Sequence, residues 1–153
     1  MNEPVANLAG RDTFRTDILH EYFVAPEQFA AFITACRETI LKSRQELLNV
    51  TLRWLKADTV SALTYAPEPR IAAVMLFSQA ITAEAEADML TMTEELIERV
   101  IAIGGSFYLP YRLHARRDQV EKAYPNLPRF LARKREVDPG LLFRNTMWDA
   151  YFA

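Results

Sequence analysis

Apolar residues recur along this chain with two different periods, and the changes from one period to the other predict its elements. "ILHEYFV", Ile18 to Val24, is dense in β-branched and aromatic residues and reads as a strand. Pro26 then stands where the first turn of a helix tolerates it. Phe29, Phe32, Ile33, Cys36 and Ile40 follow at helical spacing, predicting a helix from about 26 to 43. In "LLNVTLRW" the period drops to two. Leu48, Val50, Leu52 and Trp54 fall on one side, and Asn49, Thr51 and Arg53 on the other. The Pro-bracketed turn "APEPR" leads into "IAAVMLFSQ", Ile71 to Gln79, a continuously apolar run expected of a central strand. Met89, Met92, Leu96, Val100 and Ile103 mark a second long helix, stopped by Gly104-Gly105. "SFYLPY", Ser106 to Tyr111, is the fourth strand, with Pro110 marking an edge or a strand end.

The order strand, helix, strand, strand, helix, strand predicts an α+β fold. It is the ferredoxin-like βαββαβ arrangement, a four-stranded antiparallel sheet with two helices on one face, over residues 18–112. The other face of such a sheet is left open. From the second strand it carries Asn49, Thr51 and Arg53; from the first it carries either His20 and Tyr22 or Leu19, Glu21 and Phe23, because both sets mix polar with apolar residues. Residues 1–17 are polar, unpatterned and read as a flexible lead-in. Residues 113–153 form a helical extension: "ARRDQVEKAYP" is one helix ended by Pro125, and "LPRFLARKREVDPG" another, closed at Asp138-Pro139. Beyond them lie Leu141, Leu142, Phe143, Met147, Trp148, Tyr151 and Phe152. Burial of each large apolar side chain is worth roughly 1.5–3 kcal/mol. Such a tail either folds back on this domain or docks on another.

Composition changes this picture little. The 153 residues fit one domain, half of them apolar and a quarter charged. The net charge of −2 gives no sign of a nucleic acid or membrane partner. The distribution is uneven: nine Lys/Arg against four Asp/Glu from Arg112 to Arg144 give +5, leaving −7 elsewhere. No Gly-aromatic RNA motif or helix-turn-helix pattern accompanies that excess, which reads as a solvated helical face with one contact surface. A single cysteine, Cys36, precludes an internal disulfide and suits a reducing, cytoplasmic setting; among Phe29, Phe32, Ile33 and Ile40 it reads as a small buried hydrophobe. "MNEPVANLAG" lacks the basic and apolar regions of a signal peptide. No apolar run reaches the ~20 residues of a membrane helix.

Motifs of catalysis are sparse. The chain has no G-x-G-x-x-G, no P-loop and no C-x-x-C; its histidines, His20 and His114, are far apart, and no spacing suggests a metal site. One cluster accumulates at the end of the fourth strand: "YLPYRLH" brings together Tyr108, Tyr111, Arg112 and His114. Phenols, an imidazole and a guanidinium at a strand end suit a small-molecule site, and equally a rim of ordinary surface residues.

"GGSFYLPYRLHA" followed by "AYPNLPRFLARKREVDPGLLFRN" resembles the C-terminal end of FAD-linked oxidoreductases of the vanillyl-alcohol oxidase and para-cresol methylhydroxylase superfamily. The likeness rests on Gly-Gly before an aromatic strand, Tyr-Pro after a short helix, and the pattern Phe130, Lys134, Asp138, Pro139, Phe143, Asn145. "ILHEYFV" and "NVTLRW" resemble the first two strands of the same substrate domains, so the likeness runs from about residue 17 to 152. It implies a substrate or cap domain whose open sheet face covers a flavin held by a separate FAD-binding domain or subunit. It also implies oxidation of an alcohol, sugar or lactone by hydride transfer to the flavin. His20, Tyr22, Arg53, Tyr108 and Tyr111 would face the small-molecule substrate, with Arg112 and His114 beside them. Asn145 would lie near the flavin, and "DPGLLFRN" would be a turn and strand re-entering the FAD domain. Several relatives carry lysine or histidine where Tyr111 stands, and Arg112 or Arg53 would supply the missing positive charge. Nothing here resembles the glycine-rich loop that cradles FAD, so this portion is expected to hold no flavin and to be inactive alone. The alternative expectation is a non-enzymatic ferredoxin-like module that binds another protein or forms a homodimer through its sheet.

Overall fold

The computed structural model describes residues 14–153. Four strands, β1 (Arg15–Val24), β2 (Glu46–Leu55), β3 (Arg70–Ala80) and β4 (Ser106–Phe107), form one antiparallel sheet in the order β2-β3-β1-β4. A 3-10 turn, Pro26–Gln28, leads into α1 (Phe29–Ile40); α2 spans Ala83–Ala102, α3 Arg117–Ala123, α4 Leu127–Val137 and α5 Thr146–Tyr151. β1 already begins at Arg15, inside the stretch 1–17 expected as a lead-in. Residues 1–13, including the stretch without signal-peptide character, lie outside the described residues.

Register decides which way each strand faces. Ile18, His20, Tyr22 and Val24 stand opposite Phe77, Met75, Ala73 and Ile71. In β2, Val50, Leu52 and Trp54 stand opposite Met75, Ala73 and Ile71, on that same face. Residues of this face join Phe32 and Cys36 of α1 and Met89, Met92, Leu96 and Val100 of α2 in one core cluster. The second face carries Leu19, Glu21 and Phe23, then Ala72, Val74 and Leu76, then Arg53, Thr51 and Asn49. The alternation read from "LLNVTLRW" is therefore correct in direction from Asn49 to Trp54, whereas Leu48 is an extra residue at a register shift. The alternation does not give burial: β2 is exposed from Glu46 through Trp54, including the apolar residues on its core side. They lie on an edge strand, outside the core cluster built on β1 and β3.

Local chemistry sets the ends of α2. The Thr82 side chain accepts a hydrogen bond from the Ala85 amide, and Glu84 and Glu86 sit in the positive first turn. At the other end Gly104 has φ of +71°, and the Gly105 amide donates to Val100 O. A Cβ at Gly105 would come within 2.6 Å of Val100 Cγ1 and 2.9 Å of the Phe23 carbonyl. The Gly-Gly pair thus lets α2 turn at once into β4, close against β1. The fourth strand is shorter than expected, two residues rather than six. After the Tyr108 amide donates to Glu21 O, Leu109 and Pro110 enter a turn, and Pro110 has no N–H to continue a ladder.

The tail folds back. Trp148, Tyr151 and Phe152 are buried and belong to the same core cluster as Val120, Tyr124 and Leu127. The Phe152 ring lies 5.9 Å from Phe130 and 5.6 Å from Trp148. "DPGLLFRN" forms a turn and helix cap, not the turn and strand that the resemblance implies. The Asp138 carboxylate accepts hydrogen bonds from the amides of Leu142 at 2.9 Å and Phe143 at 3.0 Å, and pairs with Lys134. That ammonium and those amides hold the Asp138 carboxyl down at about 2. Leu142 and Phe143 themselves remain 82% exposed.

Candidate functional site

The second face of the sheet gathers polar groups around exposed strand surface. Arg53 projects there from β2 and Glu21 from β1. The segment after β4 adds Tyr108 and Tyr111, whose rings meet edge to face at 4.7 Å. Tyr65, from the loop between β2 and β3, stacks on Phe23 at 4.1 Å and meets the Tyr108 ring at 6.1 Å. These contacts order a row of aromatic edges along one end of the face.

The electrostatics are coupled. Burial raises the Glu21 carboxyl above its usual range, against the opposing pull of Arg53. Burial also raises the Tyr111 phenol, and Glu21 and Tyr108 push it the same way while Arg53 opposes them. A carboxyl that holds its proton more tightly, beside a guanidinium and two phenols, can bind and orient hydroxyl groups and exchange protons with them.

Of the residues expected here, Arg53, Tyr108 and Tyr111 are brought together. His20 and Tyr22 are not: they point to the core side of β1 and are buried. The alternation of β1 fitted either direction, and pairing with β3 selects Leu19, Glu21 and Phe23 for the second face. Tyr22 OH and His20 Nδ1 are 3.0 Å apart, and His20 Nε2 has no hydrogen-bond partner among the described residues. Burial, reinforced by the charges of His114 and Arg112, lowers His20 to about 3. Burial likewise raises the Tyr22 phenol.

Arg112 and His114 turn toward α2. His114 Nε2 is 2.8 Å from Glu86 Oε1, Arg112 is 3.6 Å from the same oxygen, and Gln79 Nε2 donates to Glu86 Oε2 at 2.7 Å. Gln79 is the chief cause, with His114, of a lowered Glu86 carboxyl. The two histidines, remote in sequence, are thus electrostatic neighbours. A narrow cleft of about 20 Å³, room for about one water, is lined by His20, Tyr22 and Thr93 together with Glu21, Tyr108, Tyr111 and Arg112.

Part of the basic excess is paired within the chain. Arg116 binds Glu94, Glu98 and Asp118, and Arg117 donates to the carbonyls of Ala150 and Ala153. A larger groove of about 890 Å³ lies between the 58–67 loop and α4, beside Asp58, Arg129, Arg133 and Lys134. Tyr65, Tyr108 and Tyr111 are not among the residues lining it. Asp58 there is a turn residue, held at about 2 by Ser61 and by the Val60 amide.

Sequence reasoning did not single out Glu21 or Tyr65. Glu21 belonged to one of the two alternation sets for β1; Tyr65 lies in a loop where no periodicity operates. Among the described residues no group of three His, Cys, Asp or Glu side chains is arranged to hold a metal ion, and no helix is long and apolar enough to cross a membrane. Cys36 is buried, with its thiol pushed up to about 12, as expected of a core residue.

The adjacent glycines, Gly104 and Gly105, end a helix rather than begin one, and the first turn of α2 carries carboxylates where an anion site needs bare amides. Asn145 is a helix cap: its Oδ1 accepts the Trp148 amide at 2.9 Å. Asn145→Ala is expected to cost about 1 kcal/mol in urea unfolding, as losses of N-caps do. No family model matches the chain, and no curated protein matches it.

Proposed function

We propose that this chain is the substrate-covering portion of an FAD-dependent oxidoreductase acting on an alcohol, sugar or lactone. The fold is then the ferredoxin-like one, with α1 and α2 on one face and the second face turned toward substrate. One observation carries the reading: Glu21, Arg53, Tyr108 and Tyr111 converge on a sheet surface that the helices do not cover. Arg53 would orient hydroxyl or carboxylate oxygens, Glu21 and Tyr111 would take up or share a hydroxyl proton, and the tyrosine edges would fix the ring plane of the substrate. The flavin, supplied by a partner FAD-binding domain or subunit, would accept the hydride.

The reading differs from the sequence expectation in its residues. Glu21 replaces His20 and Tyr22 at the substrate face, and Arg112 and His114 support the β4–α3 segment through Glu86. The test is co-expression with an FAD-binding domain of the same superfamily from the source genome. The two are expected to copurify with the visible absorbance of bound flavin. Arg53→Glu is expected to cut substrate-dependent flavin reduction at least tenfold without unfolding the chain. Failure to copurify with flavin, or full activity in Arg53→Glu, would overturn the proposal.

A further inference from the structure

We propose that two copies of this chain join through β2, edge to edge and antiparallel, about a two-fold axis at Thr51. This inference concerns the strand edge and does not rest on the oxidoreductase reading.

β2 is a sheet edge: it pairs with β3 on one side, and every residue from Glu46 to Trp54 is exposed. Such an edge offers a row of backbone donors and acceptors to another strand. Apolar exposure is concentrated on its core side. Val50 is 40% exposed, Leu52 52% and Trp54 63%, though Met75 and Ala73 opposite them are fully covered. No proline interrupts it, and Arg53 is the only charge between Leu47 and Leu55.

The occupant follows from the order of residues, because "ELLNVTLRWLK" is chemically palindromic about Thr51. With Thr51 opposite Thr51 of a second copy, Val50 meets Leu52 and Asn49 meets Arg53; beyond the extra residue Leu48, Trp54 meets Leu47, which shares its face. Each central pair keeps its face: Val50 and Leu52 are both on the core side, Asn49 and Arg53 both on the other. The register shift between Leu47 and Asn49 leaves Leu48 as the extra residue. A surface that complements itself in this way is what a two-fold interface requires.

Two measurements test this. Light scattering after gel filtration at micromolar concentration is expected to give twice the chain mass. Leu52→Lys and Trp54→Lys are each expected to give the single mass, with unchanged circular dichroism because both positions are exposed. For register, directly opposed strand residues have Cβ atoms about 4.5–5.5 Å apart, within reach of a disulfide. Under mild oxidation Thr51→Cys is therefore expected to form a linked dimer several-fold faster than Val50→Cys or the exposed loop control Val60→Cys. Buried Cys36 does not compete. A monomeric wild type, a dimer indifferent to both lysine variants, or linkage of Thr51→Cys no faster than that of Val60→Cys would overturn the proposal.

Discussion

Trp148→Ala is expected to destabilise the chain by about 3–5 kcal/mol, the range for deleting a large buried aromatic side chain. Trp148 is buried with Tyr151 and Phe152 against Val120, Tyr124 and Leu127. Its helix is fixed from both ends, by the Asn145 cap and by hydrogen bonds from Arg117 to the carbonyls of Ala150 and Ala153. The contrast is Phe143→Ser. That ring is 82% exposed, and surface substitutions of this kind change stability by about 0.5 kcal/mol or less. Urea unfolding of both variants separates two accounts of the tail. If α5 belonged to the core of another domain, Trp148→Ala would barely move the midpoint of this chain. A loss below about 1 kcal/mol would refute the packing described, since most single substitutions already cost that much.

The same tail shows what a sequence can and cannot tell. Its burial was legible, because seven large apolar residues in the last thirteen are costly to leave in water. Its destination was not: period and composition say that a side chain needs cover, not which surface provides it. A six-residue helix is also too short to display a period, although the Asn145 cap three residues before Trp148 was a local sign of it. The strands give a parallel case. In β2 the alternation of apolar and polar residues fixed the facing of Arg53, because the two sets differ sharply. In β1 both sets mix polar and apolar residues, and only the pairing of His20 with Met75 and Tyr22 with Ala73 settles them. Pairing is a long-range fact. So is the meeting of Tyr65 with Tyr108, which joins a loop to a strand end across more than forty residues. The core elements were thus readable from period, whereas the site, built by register and by loops, was readable only in part.

His20 leads to the second large effect, a loss of stability in mild acid. An unfolded histidine titrates near 6.5, whereas folded His20 does so at about 3. Between those values the unfolded chain binds the extra proton, so stability falls as pH falls from 6.5 toward 3. Each tenfold difference in proton affinity is worth about 1.36 kcal/mol, so the loss attributable to His20 is about 2 kcal/mol by pH 5. The cause is the site itself. His20 is buried beside Tyr22, His114 and Arg112 add positive potential, and the Glu86 carboxylate is already taken by His114, Arg112 and Gln79. Among the described residues no carboxylate offsets a proton on His20. His20→Gln keeps an acceptor for the Tyr22 hydroxyl and does not titrate. Urea midpoints of both proteins at pH 7 and pH 5 isolate the contribution of His20, because Glu21, His114 and the paired carboxylates are common to the two. The wild type is expected to lose about 2 kcal/mol more than His20→Gln over that interval. Equal losses would mean that His20 accepts its proton in the folded chain, and therefore that the ring is not buried as the structure has it.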